Sequence, residues 1–278
     1  MTVKPLVKHI ISKELQLYFD RIVSAIIDET NDEYRLAAFA SLRTDPGLHQ
    51  LVPYFVQFAA EKVTHSLKNL FVLSQTMHLL ASLLDNPSLY LETYVAAMVP
   101  SVLTCLVGKR LGASNDKESL IRQYELRDLA SSLTVTLAKK YGKSSQTLKP
   151  RLARTLLKHF LDPNKPFGTH YGALMALQGI VGADGVRMLI LPNLKPYDSL
   201  LKEGIADDSR KQEAEMVIVA IMRALDLVEK DAIVIGDKIG SDAREKLASK
   251  VGEIIASKVM ESGRRRLVSA ILEADVSL

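Results

Sequence analysis

Tryptophan is absent from this 278-residue chain, and cysteine occurs once, as Cys105. A single thiol excludes a disulfide framework and a thiolate zinc site, and it suits a reducing compartment. The six histidines (His9, His49, His65, His78, His159 and His170) are scattered, with no i, i+4 pair and no HExxH string. No metal site is therefore expected. Long apolar runs are missing as well. The stretch Met216 to Met222 falls far short of the roughly 18 residues a bilayer span requires, so no membrane partner is expected. The opening Met-Thr-Val-Lys-Pro lacks the basic-then-apolar layout of a signal peptide.

Catalytic signatures are equally scarce. Gly142-Lys143-Ser144 imitates the end of a phosphate-binding loop, but Leu137 stands where that motif's first glycine belongs, and a helical pattern precedes it instead of a strand. No serine lies in a G-x-S-x-G string, and the glycines from Gly179 to Gly185 are too irregular for a dinucleotide fingerprint. Asp28-Glu29 and Asp207-Asp208 read as helix-end carboxylates, not as an acid–base pair. Cys105, set among Val102, Leu103, Leu106 and Val107, reads as a small buried hydrophobe. Neither enzymatic activity nor a cofactor is expected.

What the chain does contain is a folded protein's share of apolar (47%) and charged (24%) residues, which excludes disorder. Its apolar residues recur at three- and four-residue spacing, as in Leu15, Tyr18, Phe19, Ile22, Val23 and Ile26. No stretch alternates with period two, and the strand-like Ile233-Val234-Ile235 has no partner. The fold class is all-α.

A longer period lies over the helical one. Pro53, Pro100, Pro150 and Pro192 each close a Leu/Met-x-Pro or Leu-Pro step, 47, 50 and 42 residues apart. Asp45-Pro46-Gly47 and Asp85-Asn86-Pro87 precede two of these steps and suit the cap and first residue of a new helix. Helices with small residues come before each turn, at Ala37-Ala38, Ala81, Ala130-Ser131 and Gly172-Ala173. Two helices per unit at about 40–47 residues is the signature of HEAT or armadillo repeats. The expectation is an α-solenoid of about five HEAT repeats. A linker occupies 1–11 and a capping helix 12–29. Helix pairs follow near 32–67, 69–111, 122–161 and 166–204, and 205–278 forms a fifth repeat with a C-terminal capping helix. Each repeat proline is expected to bend the second helix of its pair.

The turn strings themselves resemble a known family. Asp45-Pro46-Gly47-Leu48-His49-Gln50-Leu51-Val52-Pro53 and Leu84-Asp85-Asn86-Pro87-Ser88-Leu89-Tyr90-Leu91-Glu92-Thr93-Tyr94-Val95 are similar to the C-terminal domain of subunit 6 of the transcription initiation factor TFIID, a TATA-box-binding-protein-associated factor. Leu126-Arg127-Asp128, Tyr171-Gly172-Ala173 and Leu189-Ile190-Leu191-Pro192 extend the resemblance, which covers residues 3–200 in order and fades beyond 205. It implies a nuclear, non-catalytic HEAT-repeat scaffold in TFIID, shared with SAGA-type coactivators in some lineages, whose partners are other transcription-factor subunits. Family members also carry a histone fold that pairs with subunit 9. The residues before 12 cannot form one, so the chain is expected to be a C-terminal region opened by an added Met, and subunit 9's histone fold is not expected to bind it.

Charge singles out one stretch. The chain carries +4 in all, yet residues 122–170 hold ten Lys/Arg against three acids. From Leu129 to Leu161 there are seven Lys/Arg and no acid. On a helix through 146–161, Arg151, Arg154 and Lys158 share one side and Leu148, Leu152, Leu156, His159 and Phe160 another, with Lys139, Lys140 and Lys143 at the preceding turn. These six cations are the candidate binding residues. An acidic protein segment is the favoured partner, because no aromatics interleave to stack bases. A weak contact with DNA phosphates through this basic third repeat is the alternative. Tyr90 and Tyr94 read as packing between repeats in preference to a partner anchor. Arg127-Asp128 reads as an inter-repeat ion pair, and Arg264-Arg265-Arg266 as a helix start that calls for a partner acid.

Overall fold

The computed structural model describes residues 11–114, 116–231 and 242–274. Thirteen α-helices follow one another, and no strand occurs among the described residues. Most of the expected 1–11 linker and the string Ile233-Val234-Ile235 lie outside the described residues. The chain divides into two compact units, Met1–Ser144 and Ser145–Leu278.

The first unit contains α1 (Lys13–Ile27), α2 (Asp32–Thr44), α3 (Val52–His65), α4 (Leu70–Asp85), α5 (Val95–Val107) and α6 (Lys117–Tyr141). Four of these helices begin where side chains satisfy the first free amides. Ser12 accepts from Leu15, Asn31 from Tyr34, Asn69 from Val72 and Asp116 from Ser119. α1 packs on α2, α3 on α4, and α5 on α6, while α2, α4 and α6 stack as one layer and α3 meets α5 in the other. Leu42, Phe55, Leu73, Met77 and Cys105 fill the space between them, each fully enclosed. These close pairs run one helix out of step with the pairing inferred from the prolines. Short connections such as 66–69 join helices that pack, whereas the proline-bearing connections carry 3-10 turns at Pro46–Gln50 and Glu92–Tyr94.

The second unit contains α7 (Leu148–Leu161), α8 (Phe167–Gly185), α9 (Leu191–Ala206), α10 (Lys211–Asp231), α11 (Ala243–Val251), α12 (Glu253–Glu261) and α13 (Arg265–Glu273). α8 lies between α7 and α10, and α9 packs on α10, α11 and α12. Gly182 (φ 67°) kinks α8, and a π-helical turn, Val186–Ile190, leads into α9. By length and composition the run Phe167–Ala206 is apolar enough to cross a bilayer. Its first two turns, Phe167 to Leu174, are wholly buried.

Two expectations are corrected here. Pro53, Pro150 and Pro192 fall in the first turn of α3, α7 and α9, where no intrahelical donor is lost, so they start these helices and do not bend them. Only Pro100 lies deeper, within α5. Asn86-Pro87 does not open a helix: Asn86 ends α4 and a turn follows it. Further along, α11 and α12 are separated at Gly252 (φ 85°).

Candidate docking surface

The six cations fall into two groups, one in each unit. Lys139, Lys140 and Lys143 lie at the end of α6, all exposed. Lys140 is already engaged: its ammonium donates to the Leu84 carbonyl at 2.6 Å, where a cation complements the carboxyl end of α4. That bond removes Lys140 from the free charges on offer to a partner. Lys139 and Lys143 have no acid partner among the described residues.

α7 is built as the pattern requires. Leu152, Leu156 and Phe160 are buried, and Arg151, Arg154 and Lys158 stand exposed on another face. The helix has no acidic residue, and none of these three cations is paired among the described residues. Three other cations in the second unit are matched within it: Lys202 with Asp198 and Glu253, Arg187 with Asp184 and Asp231, and Arg264 with Asp226 and Glu229. The partner acids that Arg264 called for are thus on α10, and they raise its already high pKa further.

Tyr90 overturns the packing assignment. It is 85% exposed and stacks on His49, with ring centroids 6.0 Å apart and planes 21° from parallel. Residues 89–91 belong to no helix and Tyr94 closes a 3-10 turn, so the helical i, i+4 relation between the two tyrosines does not apply. Arg127 is buried instead of surface-laddered. Its Nη1 donates to the Leu106 carbonyl at 2.7 Å and its Nη2 to that of Gly108 at 2.9 Å, closing the end of α5. Cys105 beside it is enclosed, and desolvation pushes its thiol up to about 12. Asp28 and Asp207 end α1 and α9 and accept from Thr30 and Ser209, as helix-end carboxylates do. Among the described residues no group of three or more His, Cys, Asp or Glu is placed to hold a metal.

One polar network carried no sequence signal. His170 is fully buried on α8, with Nε2 2.9 Å from the Asp162 carbonyl and Nδ1 2.6 Å from the Tyr197 hydroxyl. A carbonyl only accepts, so Nε2 carries the proton and Tyr197 donates to Nδ1. Desolvation lowers the pKa of this imidazole, against the opposing pull of its bond to Asp162. The arrangement holds helices together; nothing in it positions a substrate.

Residues 7–195 match the family of the TAF6 C-terminal HEAT repeat domain. The chain belongs to this family. The match coincides with the stretch whose turn strings carry the resemblance, and the all-α HEAT-repeat fold is the family's own. Over 273 residues, 98% of the chain, this family member is 44% identical to the SAGA complex/transcription factor TFIID complex subunit Taf6 of Schizosaccharomyces pombe, covering 60% of that protein. It is 41% identical to the transcription initiation factor TFIID subunit 6 of Arabidopsis thaliana over 80% of the chain and 40% of that protein. It thus spans less than two thirds of each of these relatives. The solved TAF6 C-terminal domain from Antonospora locustae matches it with a TM-score of 0.61 and 31% identity, over 76% of this chain and 98% of that one.

Proposed function

We propose that the chain is a non-catalytic scaffold of the nuclear TFIID assembly, and of a SAGA-type coactivator where one subunit serves both. The observation that carries this reading is the 44% identity sustained over 98% of the chain with a subunit named for both complexes. Helical pairs that bury their cores and leave long outer faces free are suited to holding neighbouring subunits. The test is a chimera in which this chain replaces the matching region of the fission yeast subunit. The tagged chimera is expected to co-purify the other TFIID subunits from nuclear extract. Its absence from the assembly would sink the reading.

Within that role, the free cations Arg151, Arg154 and Lys158 of α7 take an acidic protein segment, and Lys139 and Lys143 offer a separate pair of free charges in the first unit. The support for α7 is its acid-free outer face, whose cations are unpaired while Lys202 and Arg264 of the same unit are paired internally. Binding of an acidic peptide is expected to fall steeply with salt and to weaken in Arg151→Glu and Arg154→Glu. A duplex DNA bound more tightly than the peptide would reverse the choice between the two partners.

A further inference from the structure

Next to the basic face of α7 the second unit has a groove of about 310 Å³ between the end of that helix and α9. Phe160 and Tyr197 are the buried part of its lining, their ring centroids 4.9 Å apart. Leu161 and Leu200 line it, and Pro163 and Pro196 fix the backbone around it. The polar side chains at its edge are turned to their own helix: Asn193 donates to the Leu189 carbonyl at 2.8 Å and Ser199 to that of Pro196 at 3.2 Å. Most of the surface left for a ligand is apolar. The volume lies at the bottom of the range of roughly 300–1,000 Å³ seen for ligand pockets, which suits one or two side chains better than a cofactor.

The charge around the groove states what the rest of the ligand must be. Leu161, 43% exposed, follows Lys158 by three residues and Arg154 by seven, so the apolar wall and the basic stripe are one continuous helix face. Lys195, exposed on α9 four residues before Ser199, adds a cation on the other side. None of the three is neutralised among the described residues. Two acids stand nearby, Asp162 at the end of α7 and Glu203 four residues after Ser199, leaving a cationic surplus.

We propose that this groove receives a large apolar side chain from an acidic segment of a partner protein, whose carboxylates meet Arg154, Lys158 and Lys195. The proposal rests on the acidic-partner reading above and adds to it an apolar anchor with a stated place. Burying one such side chain adds affinity that charge alone does not supply, and the proline-fixed walls reduce the ordering that binding requires.

The test uses the intact chain and three fluorescent synthetic peptides followed by anisotropy at low and physiological salt. One is composed of Asp and Ser around a single Phe, the second has Ala for that Phe, and the third has Lys for every Asp. The first peptide is expected to bind about tenfold or more tighter than the second, the worth of one buried aromatic side chain, and the third not at all. Leu161→Asp should abolish the advantage of Phe over Ala, Arg154→Glu with Lys158→Glu should weaken both acidic peptides, and Glu203→Gln should tighten both. Equal affinity of the two acidic peptides for the unmodified chain overturns the groove and leaves the acidic-partner reading standing. An undiminished Phe advantage in folded Leu161→Asp does the same. Binding of neither acidic peptide overturns both. The comparison of peptides on the unmodified chain does not depend on any variant folding.

Discussion

The side-chain amide of Asn86 donates to the main-chain carbonyl of Leu42 at 2.9 Å, across 44 residues of sequence. The same Nδ2 donates to the Asp45 carbonyl at 2.9 Å, and Oδ1 accepts from the Ser88 amide at 2.9 Å. One buried residue thus finishes α2, shapes the turn after α4 and binds the two turns to each other. Asn86→Ala leaves buried carbonyls without a donor and is expected to destabilise the first unit by about 2–4 kcal/mol. Asn86→Asp keeps the acceptor for Ser88 but turns a carboxylate toward two carbonyls, so it should be worse than alanine despite its closer shape. Urea denaturation of both variants orders them, and a milder aspartate would refute the account.

Arg127 does the same work at the end of α5. Arg127→Met removes two charge-assisted bonds to buried carbonyls, and a loss of about 2–4 kcal/mol is expected. Arg127→Lys can reach one carbonyl of the two and should fall between. Cys105 supplies a built-in readout, since its enclosed, high-pKa thiol is inert in the folded chain. Its labelling by a thiol reagent should be slow in the unmodified chain and quicker in Arg127→Met. Equal rates would show that Arg127 does not close this core.

The helical class, the long period and the outward face of α7 were all open to inference, because each depends on spacing along one chain. Leu152, Leu156 and Phe160 bury and Arg151, Arg154 and Lys158 do not, as an amphipathic helix dictates. What spacing does not contain is the far partner of a polar group. Lys140 resembles its neighbour Lys139 in sequence, and only the Leu84 carbonyl distinguishes it. The carbonyls that Arg127 reaches at the end of α5 lie 21 and 19 residues away. The repeat prolines lie near helix starts, and a few residues decide between a harmless first turn and a bend.

Tyr90 separates surface from core. A residue 85% exposed that contacts His49 by one ring face contributes little to folding. Tyr90→Ala should leave the thermal midpoint unchanged within about 0.5 kcal/mol of stability. If it costs as much as the truncation of a core aromatic, about 3–5 kcal/mol, the side chain packs inward.

Two glycines test strain against contact. Gly182 (φ 67°, ψ −166°) and Gly252 (φ 85°, ψ 164°) both occupy a region that only glycine enters readily. A Cβ on Gly182 would meet nothing within 4 Å, whereas one on Gly252 would lie 2.5 Å from the Asp198 Cβ. Asp198 has little room to yield, because it accepts from the Ile254 amide at 3.0 Å and pairs with Lys202 at 3.0 Å. Gly182→Ala should therefore cost the strain alone, about 1–3 kcal/mol. Gly252→Ala should cost more and should raise hydrogen exchange in α12, whose first turn Asp198 caps. Equal losses would mean that the contact with Asp198 is readily relieved.

Acid should weaken this fold before its carboxylates titrate. Desolvation lowers the pKa of His170, of His159 and of His78, aided by Lys165 at His159 and by Arg43 at His78. An unfolded histidine titrates near 6.5. Between that value and the lower folded one, the unfolded chain binds more protons, so stability rises with pH and is lost as pH falls through about 6.5. At His170 a second proton would also take the lone pair of Nδ1 that accepts from Tyr197. The urea midpoint should therefore fall between about pH 7 and pH 5, a range in which ordinary carboxylates remain ionised. His170→Gln can still donate to Asp162 and accept from Tyr197, and it cannot titrate. It should lower the midpoint at neutral pH through poorer packing and flatten the decline on acidification. A midpoint that rises on acidification, or a decline as steep in His170→Gln as in the unmodified chain, would show that His170 is not the group responsible.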